Sequence, residues 1–254
     1  FYYILNNVFD LTDISNLPES FFFNYFIWVL KSEKDIIVVD TGYDYDEAKR
    51  RDRPIQRAPS EALKAINIEA SDVTDVIITH LHYDHAGGLK DFPNAKFHLQ
   101  ETEMAYATGP CMCHETIKMP FTGEHVCEMV KNLYSGRVVF YNGIGSIKSG
   151  VTVHLVGGHS RGLQSVRVKT ENGYLCLASD ATHFYENFLM GKPFPIVVDL
   201  EDMLNGFKLI KSLATSNDMV IPGHDPLVKN FFPKEGISGF VWRLDKGPTS
   251  PVKI

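Results

Sequence analysis

Thr79-His80-Leu81-His82-Tyr83-Asp84-His85 packs three imidazoles and one carboxylate into the six positions from His80 to His85. The stretch directly follows the apolar run Val76-Ile77-Ile78. That run reads as a strand, and ligands placed at a strand end sit on a sheet rim, where a loop can fold them around an ion. Neutral imidazole suits zinc, and a carboxylate oxygen adds charge compensation. If the chain coils after the strand, alternate residues aim at two points: His80 and His82 at one ion, Asp84 and His85 at another. A merely polar loop accounts poorly for the cluster, because crowded imidazoles without an ion repel one another when protonated.

Working outward, three further residues follow apolar runs in the same way. His159 comes after Val156-Gly157-Gly158, Asp180 after Leu177-Ala178-Ser179, and His224 after Val220-Ile221-Pro222-Gly223. Singly, each reads as an ordinary turn residue. Together with the His80 cluster they complete two sites.

The rest of the chain supplies a sheet-rich scaffold. β-Branched and aromatic runs bounded by turn signals predict strands at Tyr2 to Leu5, Phe26 to Leu30, Asp35 to Val39, Val73 to Thr79, Ala95 to Leu99, Val138 to Tyr141, Val151 to Val156, Ser165 to Val168, Tyr174 to Ala178 and Met219 to Ile221. Helices are expected at Ser60 to Ile66 with Ser60 as N-cap, Gln100 to Ala107, Glu124 to Tyr134 and Asp199 to Ala214. Thr108 to Phe121, with its Gly109-Pro110 and Met119-Pro120 steps, reads as an inserted loop. No Pro/Ser-rich linker, fixed-period repeat or low-complexity tract divides residues 1–254, so one α/β domain is expected, with mixed sheets covered by outer helices.

Composition narrows the function. The 254 residues are 44% hydrophobic and 22% charged, ample for a sizeable core, and the net charge is −6. No Lys/Arg cluster is present to neutralise a run of phosphates, which weighs against nucleic acid. The longest apolar run, Phe21 to Leu30, is too short to span a bilayer and reads as a buried strand. Four cysteines (Cys111, Cys113, Cys127, Cys176) are too few for a disulfide scaffold, so a reducing, cytoplasmic setting is expected. Cys111-x-Cys113-His114 with Cys127 downstream lacks standard zinc-knuckle spacing and reads better as a pocket wall.

The elements Asp40-Thr41-Gly42, His80 to His85 followed by Ala86-Gly87-Gly88, Gly158-His159-Ser160, Ser179-Asp180 and Gly223-His224-Asp225 resemble, in this order, the metallo-β-lactamase superfamily. The resemblance implies a four-layer αββα sandwich: two mixed β-sheets packed face to face, helices outside, metals at one edge. It implies two zinc ions per chain, with manganese, cobalt or iron as alternatives. His80, His82 and His159 would hold the first ion, Asp84, His85 and His224 the second, with Asp180 bridging and Asp40 orienting a ligand from behind. Tyr83, the Ala86-Gly87-Gly88 tail and Gly158 to Ser165 look most like the N-acyl homoserine lactone hydrolases of bacteria. Those enzymes carry a Tyr three residues after the bridging Asp, near the substrate carbonyl; this chain has His183 there, with Tyr185 two further on.

The expected chemistry is opening of a lactone by a hydroxide shared between the ions, with Asp84 moving the proton and His183 or Tyr185 beside the carbonyl. Hydrolysis of a β-lactam, thioester or phosphodiester on the same scaffold is the alternative. No Gly-x-Ser-x-Gly elbow is present, so no serine nucleophile is expected. The partner is then a small molecule, and a homodimer is compatible with this reading. Phe21, Phe22, Phe23, Phe26, Met119 and Phe121 are expected in the core, a few of them lining a pocket over the metals; His98 and His154 read as structural strand residues.

Overall fold

The computed structural model describes residues 2–8, 23–236 and 238–252, the first of these stretches as backbone alone. Phe21 and Phe22 lie outside the described residues. The strands are β1 (Tyr2–Val8), β2 (Asn24–Lys31), β3 (Ile36–Val39), β4 (Asp75–Ile77), β5 (Lys96–Gln100), β6 (Val138–Tyr141), β7 (Ile144–Lys148), β8 (Val151–Leu155), β9 (Gln164–Thr170), β10 (Gly173–Ser179), β11 (Val220–Pro222) and β12 (Val241–Arg243). They form a seven-stranded sheet in the order β12-β1-β2-β3-β4-β5-β6 and a five-stranded sheet in the order β11-β10-β9-β8-β7. Both are mixed: β3 to β6 pair in parallel, as do β10 and β11, while the remaining pairs are antiparallel.

The central strands are apolar on both faces because both faces are covered. In β2, Phe26, Trp28 and Leu30 join the core between the sheets, where Val153, Val166 and Leu175 meet them from β8, β9 and β10. Ile27 and Val29 point the other way, beside Val38 of β3 and Phe97 of β5, into a second core. The side-chain period of two thus divides one apolar run between two layers. The helices are α1 (Tyr45–Arg50), α2 (Pro59–Leu63), α3 (Tyr83–Ala86), α4 (Glu101–Ala107), α5 (Glu115–Lys118), α6 (Gly123–Tyr134), α7 (Tyr185–Met190), α8 (Leu200–Leu213) and α9 (Val228–Phe231). Ala62 and Leu63 of α2, Met104 of α4 and Met129 of α6 cover the larger sheet, and Met203, Phe207 and Ile210 of α8 cover the smaller one. The result is the four-layer αββα sandwich.

Differences from the sequence reading are local. β7 and β12 were not anticipated: β7 is a sheet edge broken by Gly145, with Ile144 exposed, and β12 has only three residues. Nor were α1, α3, α7 and α9, each of six residues or fewer, too short for a helical period to declare itself. The cap expected at Ser60 is corrected, because α2 starts at Pro59 after Ala58, whose N–H donates to Glu61 Oε2 at 3.0 Å. Thr108 to Phe121 is less irregular than expected, containing a 3-10 turn at Pro110–Cys113 and α5. No helix among the described residues is long and apolar enough to cross a membrane.

The carboxyl ends of β3, β4, β8, β10 and β11 open onto one edge of the sandwich, which brings Asp40, His80, His159, Asp180 and His224 together. Because both faces of the larger sheet are packed, Phe97→Ala should cost about 3–5 kcal/mol, read by urea unfolding at fixed metal content.

Candidate metal centre

Asp40 ends β3 with φ 60°, in the left-handed region where Asp is tolerated better than most residues. This turn aims its buried carboxylate across the end of β4. Oδ1 accepts from Thr79 N at 2.7 Å, and Oδ2 accepts from Thr79 Oγ1 at 2.8 Å and His85 Nδ1 at 2.8 Å. The Thr79 hydroxyl, having given its proton to Asp40, accepts from His80 Nδ1 at 3.1 Å and from Ser179 Oγ at 2.9 Å. One carboxylate therefore orients two of the predicted ligands and ties the end of β4 to the end of β10.

Two more histidines are set by backbone carbonyls, which only accept. His159 Nδ1 donates to Ile196 O at 2.9 Å, and His224 Nδ1 donates to Asn24 O at 2.8 Å. In all four residues Nδ1 is held by a fixed acceptor, which leaves Nε2 facing the cluster as the atom that would take an ion. These Nε2 atoms surround Asp180. Its Oδ2 lies 3.8 Å from His80 Nε2 and 3.1 Å from His159 Nε2; its Oδ1 lies 3.4 Å from His85 Nε2 and 3.0 Å from His224 Nε2. His82 offers Nδ1 instead, 3.0 Å from His159 Nε2. Asp84 approaches from the cavity side, with Oδ2 3.7 Å from His85 Nε2 and 3.8 Å from His224 Nε2.

The predicted ligands thus converge. Donor atoms lie within 4.8 Å of one another in His80–His82–His159, in His80–His85–Asp180 and in Asp84–His85–His224. The donor set fits divalent ions. Among the described residues His80 Nε2 and His85 Nε2 are buried with no hydrogen-bond partner, and buried polar atoms left so are costly unless a cation takes their lone pairs. Burial, reinforced by neighbouring imidazoles, holds His80 and His82 well below the ordinary histidine pKa, so they are neutral and ligand-ready. Burial opposes charging His85 too, yet Asp180, Asp84 and Asp40 outweigh it and raise its pKa. Burial works against the Asp180 carboxylate, but His224, His183, His85 and His159 hold it well below the carboxylate range.

His183 belongs to this neighbourhood and differs from the ligands. Nε2 lies 3.2 Å from Asp180 Oδ2, and a fourth group of candidate ligands joins His183 with His159 and Asp180. Its Nδ1, however, is buried and meets no acceptor. Aromatic rings fix the imidazole: Phe194 stacks on it at 4.0 Å and 18°, and Phe23 meets it edge-on at 6.2 Å. Tyr185 is placed elsewhere. It begins α7, its ring is fully buried against Phe188 and Phe231 in the core between the layers, its N–H donates to Asp225, and it does not line the cavity over the cluster.

That cavity holds about 510 Å³. Phe23, Phe194 and Ile196 form one wall, and Arg51, Arg53 and Tyr83 the other, with Met119 at the rim. Phe26 and Phe121 are core residues, as expected. None of the groups of potential ligand atoms among the described residues includes Cys111, Cys113, His114 or Cys127. His98 is structural, bonded to Asp75 at 2.8 Å and Tyr141 at 2.9 Å, and His154 meets Thr152 Oγ1.

Sequence reading missed Glu103. Its carboxylate, fully buried in α4, accepts from Leu81 N at 2.8 Å, Ser160 Oγ at 2.6 Å and Gly162 N at 2.9 Å. Leu81 lies between two predicted ligands and Ser160 follows a third, so Glu103 ties together the loops that carry His80, His82 and His159. A charged residue on an otherwise apolar helix face was the available signal.

Comparison with known proteins agrees with this geometry. Residues 21–224 match the Metallo-beta-lactamase superfamily, and the chain belongs to that superfamily. It is a hydrolase of this fold, related to lactonases at modest identity. An N-acyl homoserine lactonase of Bacillus cereus is 26% identical over 238 residues, covering 87% of this chain and 86% of the relative. One of Bacillus thuringiensis is 31% identical over 165 residues, 64% of this chain and 60% of the relative. The structure of an N-acyl homoserine lactone hydrolase with its product N-hexanoyl-L-homoserine bound at the catalytic metal center superposes with a TM-score of 0.73 at 23% identity, over 90% of this chain and 94% of the other. A quorum-quenching N-acyl homoserine lactone lactonase gives 0.72 at 25% identity, over 90% and 93%.

Gln at position 103 would set an amide N–H against the Gly162 or Leu81 donor. Glu103→Gln should weaken metal retention about 10–100-fold, the scale of a lost outer-shell contact, with the first group of ligands affected most. Chelator competition on the folded variant measures this.

Proposed function

We propose that the protein is a dinuclear metal-dependent hydrolase that opens a lactone ring to a hydroxy acid. The observation that carries the reading is the set of Nε2 lone pairs, fixed by acceptors on Nδ1, that converge on both oxygens of Asp180. His80, His82 and His159 would hold the first ion, Asp84, His85 and His224 the second, and Asp180 would bridge them. Zinc suits this nitrogen-rich donor set, and manganese, cobalt or iron can occupy the same residues. Such ions supply a nucleophile at neutral pH and polarise the ester carbonyl.

The chain's own residues do the rest. Asp84 faces the cavity and can take a proton during attack and return it to the leaving alkoxide. His183, kept neutral by burial, holds an Nε2–H beside the Asp180 oxygen on the first-ion side, where it can donate to the carbonyl oxygen as negative charge develops. The absence of an acceptor on its Nδ1 among the described residues sets it apart from His80, His85, His159 and His224 and supports a substrate-facing role. Phe23, Phe194 and Ile196 would exclude water and pack an apolar acyl part. The lactonase relatives support a cyclic ester as the reacting group.

The test is ring opening, followed by proton release, across aliphatic and aromatic lactones with zinc-, manganese- and cobalt-loaded protein. Turnover of a β-lactam or thioester with no lactone opened would overturn the cyclic-ester reading. Elemental analysis should give two equivalents of metal; one equivalent, unchanged by added metal, would remove the bridged pair. Asp180→Asn should lower activity by orders of magnitude in folded protein. His183→Ala should lower kcat about 10–10³-fold, the scale of one oxyanion donor, with a smaller change in KM.

A further inference from the structure

The cavity wall opposite Phe23 and Phe194 carries a cation built into place. Arg53 Nη1 donates to the hydroxyls of both Tyr25, at 2.7 Å, and Tyr83, at 2.9 Å, which lie 3.1 Å from each other. The backbone beneath is pinned as well: Arg53 N donates to Ala48 O at 2.8 Å, and the Tyr43 hydroxyl donates to Arg53 O at 3.4 Å. Tyr83 is itself clamped, with the Arg51 guanidinium 3.9 Å from its ring centre and Tyr43 packed at 5.3 Å. The two neighbouring arginines differ in their charge balance. Arg51 is ion-paired with Glu47, a carboxylate it shares with Arg50, whereas Arg53 joins no ion pair among the described residues. Among the described residues its two side-chain hydrogen bonds use Nη1 alone, which leaves Nε and Nη2 as a side-on fork, the geometry that matches a carboxylate in two parallel hydrogen bonds.

Position tells which part of a substrate this fork meets. Tyr83 adjoins Asp84 in the chain, and the Tyr25 ring packs 5.2 Å from His224, so Arg53 stands on the side of the second group of candidate ligands. Phe194, stacked on His183, and Ile196, whose carbonyl holds His159, stand with the first group, while Phe23 reaches across to His224 as well. We propose that Arg53, held by Tyr25 and Tyr83, recognises a carboxylate carried on the alcohol portion of the substrate, so that the preferred substrate is an anionic lactone or ester with an apolar acyl side. This rests on the hydrolase reading above and narrows it to a substrate class. The two phenol hydroxyls accept from the guanidinium as neutral groups and so leave its charge in place.

The experiment compares matched lactones that differ only in a carboxylate or its methyl ester on the alcohol side, with the metal-loaded enzyme and with Arg53→Ala and Arg53→Lys. The wild type should favour the carboxylate by tenfold or more in kcat/KM, and added salt should reduce that preference. Arg53→Ala should cost the anionic substrate at least tenfold more than the neutral one, chiefly through KM. Arg53→Lys, which keeps the charge and lacks the fork, should recover part of the loss. Equal losses on both substrates, or no wild-type preference, would overturn the proposal. A binding measurement separates it from the hydrolase reading. Calorimetry with a dicarboxylic hydroxy acid and its monocarboxylic counterpart should show about tenfold tighter binding of the diacid to wild type and equal binding to Arg53→Ala. That difference without turnover of any ester would retain Arg53 as an anion site and remove the hydrolase; turnover with no difference in binding would do the reverse.

Discussion

The structure depends on the cost of burying imidazole lone pairs that point at one another. His80, His85, His159 and His224 all present Nε2 to a single carboxylate, Asp180, in a region closed to solvent. Nδ1 is committed to an acceptor in each, and among the described residues Nε2 of His80 and His85 meets no hydrogen-bond partner. The arrangement becomes favourable when cations take those lone pairs, and everything around it keeps the rings from turning away. Asp40, Thr79, Glu103 and two backbone carbonyls act as a frame whose purpose is orientation.

The frame explains why fold and site are inseparable here. Each ligand loop leaves the carboxyl end of a strand, and strands of both sheets contribute. Loop glycines permit approaches that a side chain would block: at Gly158 a Cβ would lie 2.6 Å from the backbone of Met203 in α8. The outer helix thus sets the height at which His159 enters the site. Packing against the smaller sheet and ligand geometry become one requirement.

Much of this was legible in the chain. The His80 to His85 cluster declares itself because its residues are adjacent, and the apolar runs of β2 to β6 declare a sheet buried on both faces. His159, Asp180 and His224 were weaker signals, each only a polar residue after a strand, and the superfamily pattern joined them. The carbonyls of Asn24 and Ile196 that fix two histidines have no sequence signature, since every residue has a carbonyl. Tyr185 illustrates the opposite limit: it is close to Asp180 in number, yet the start of α7 turns its ring into the core. Arg53 went unnoticed because its meaning comes from Tyr25 and Tyr83, which reach it from other elements.

Asp40 and Ser179, at φ 60° and 48°, close β3 and β10 in a backbone region that side chains disfavour. Their side chains meet through Thr79, so the two tight turns interlock across the sandwich. Asp40 is anchored within its own sheet by Thr79 and His85, and the Thr79–Ser179 hydrogen bond carries that anchor across to the smaller sheet. The candidate pocket is complete only when both sheets are docked, because the loops that carry its residues leave strands of both. An ion held by residues of both sheets would therefore report that the two halves of the sandwich have closed in register.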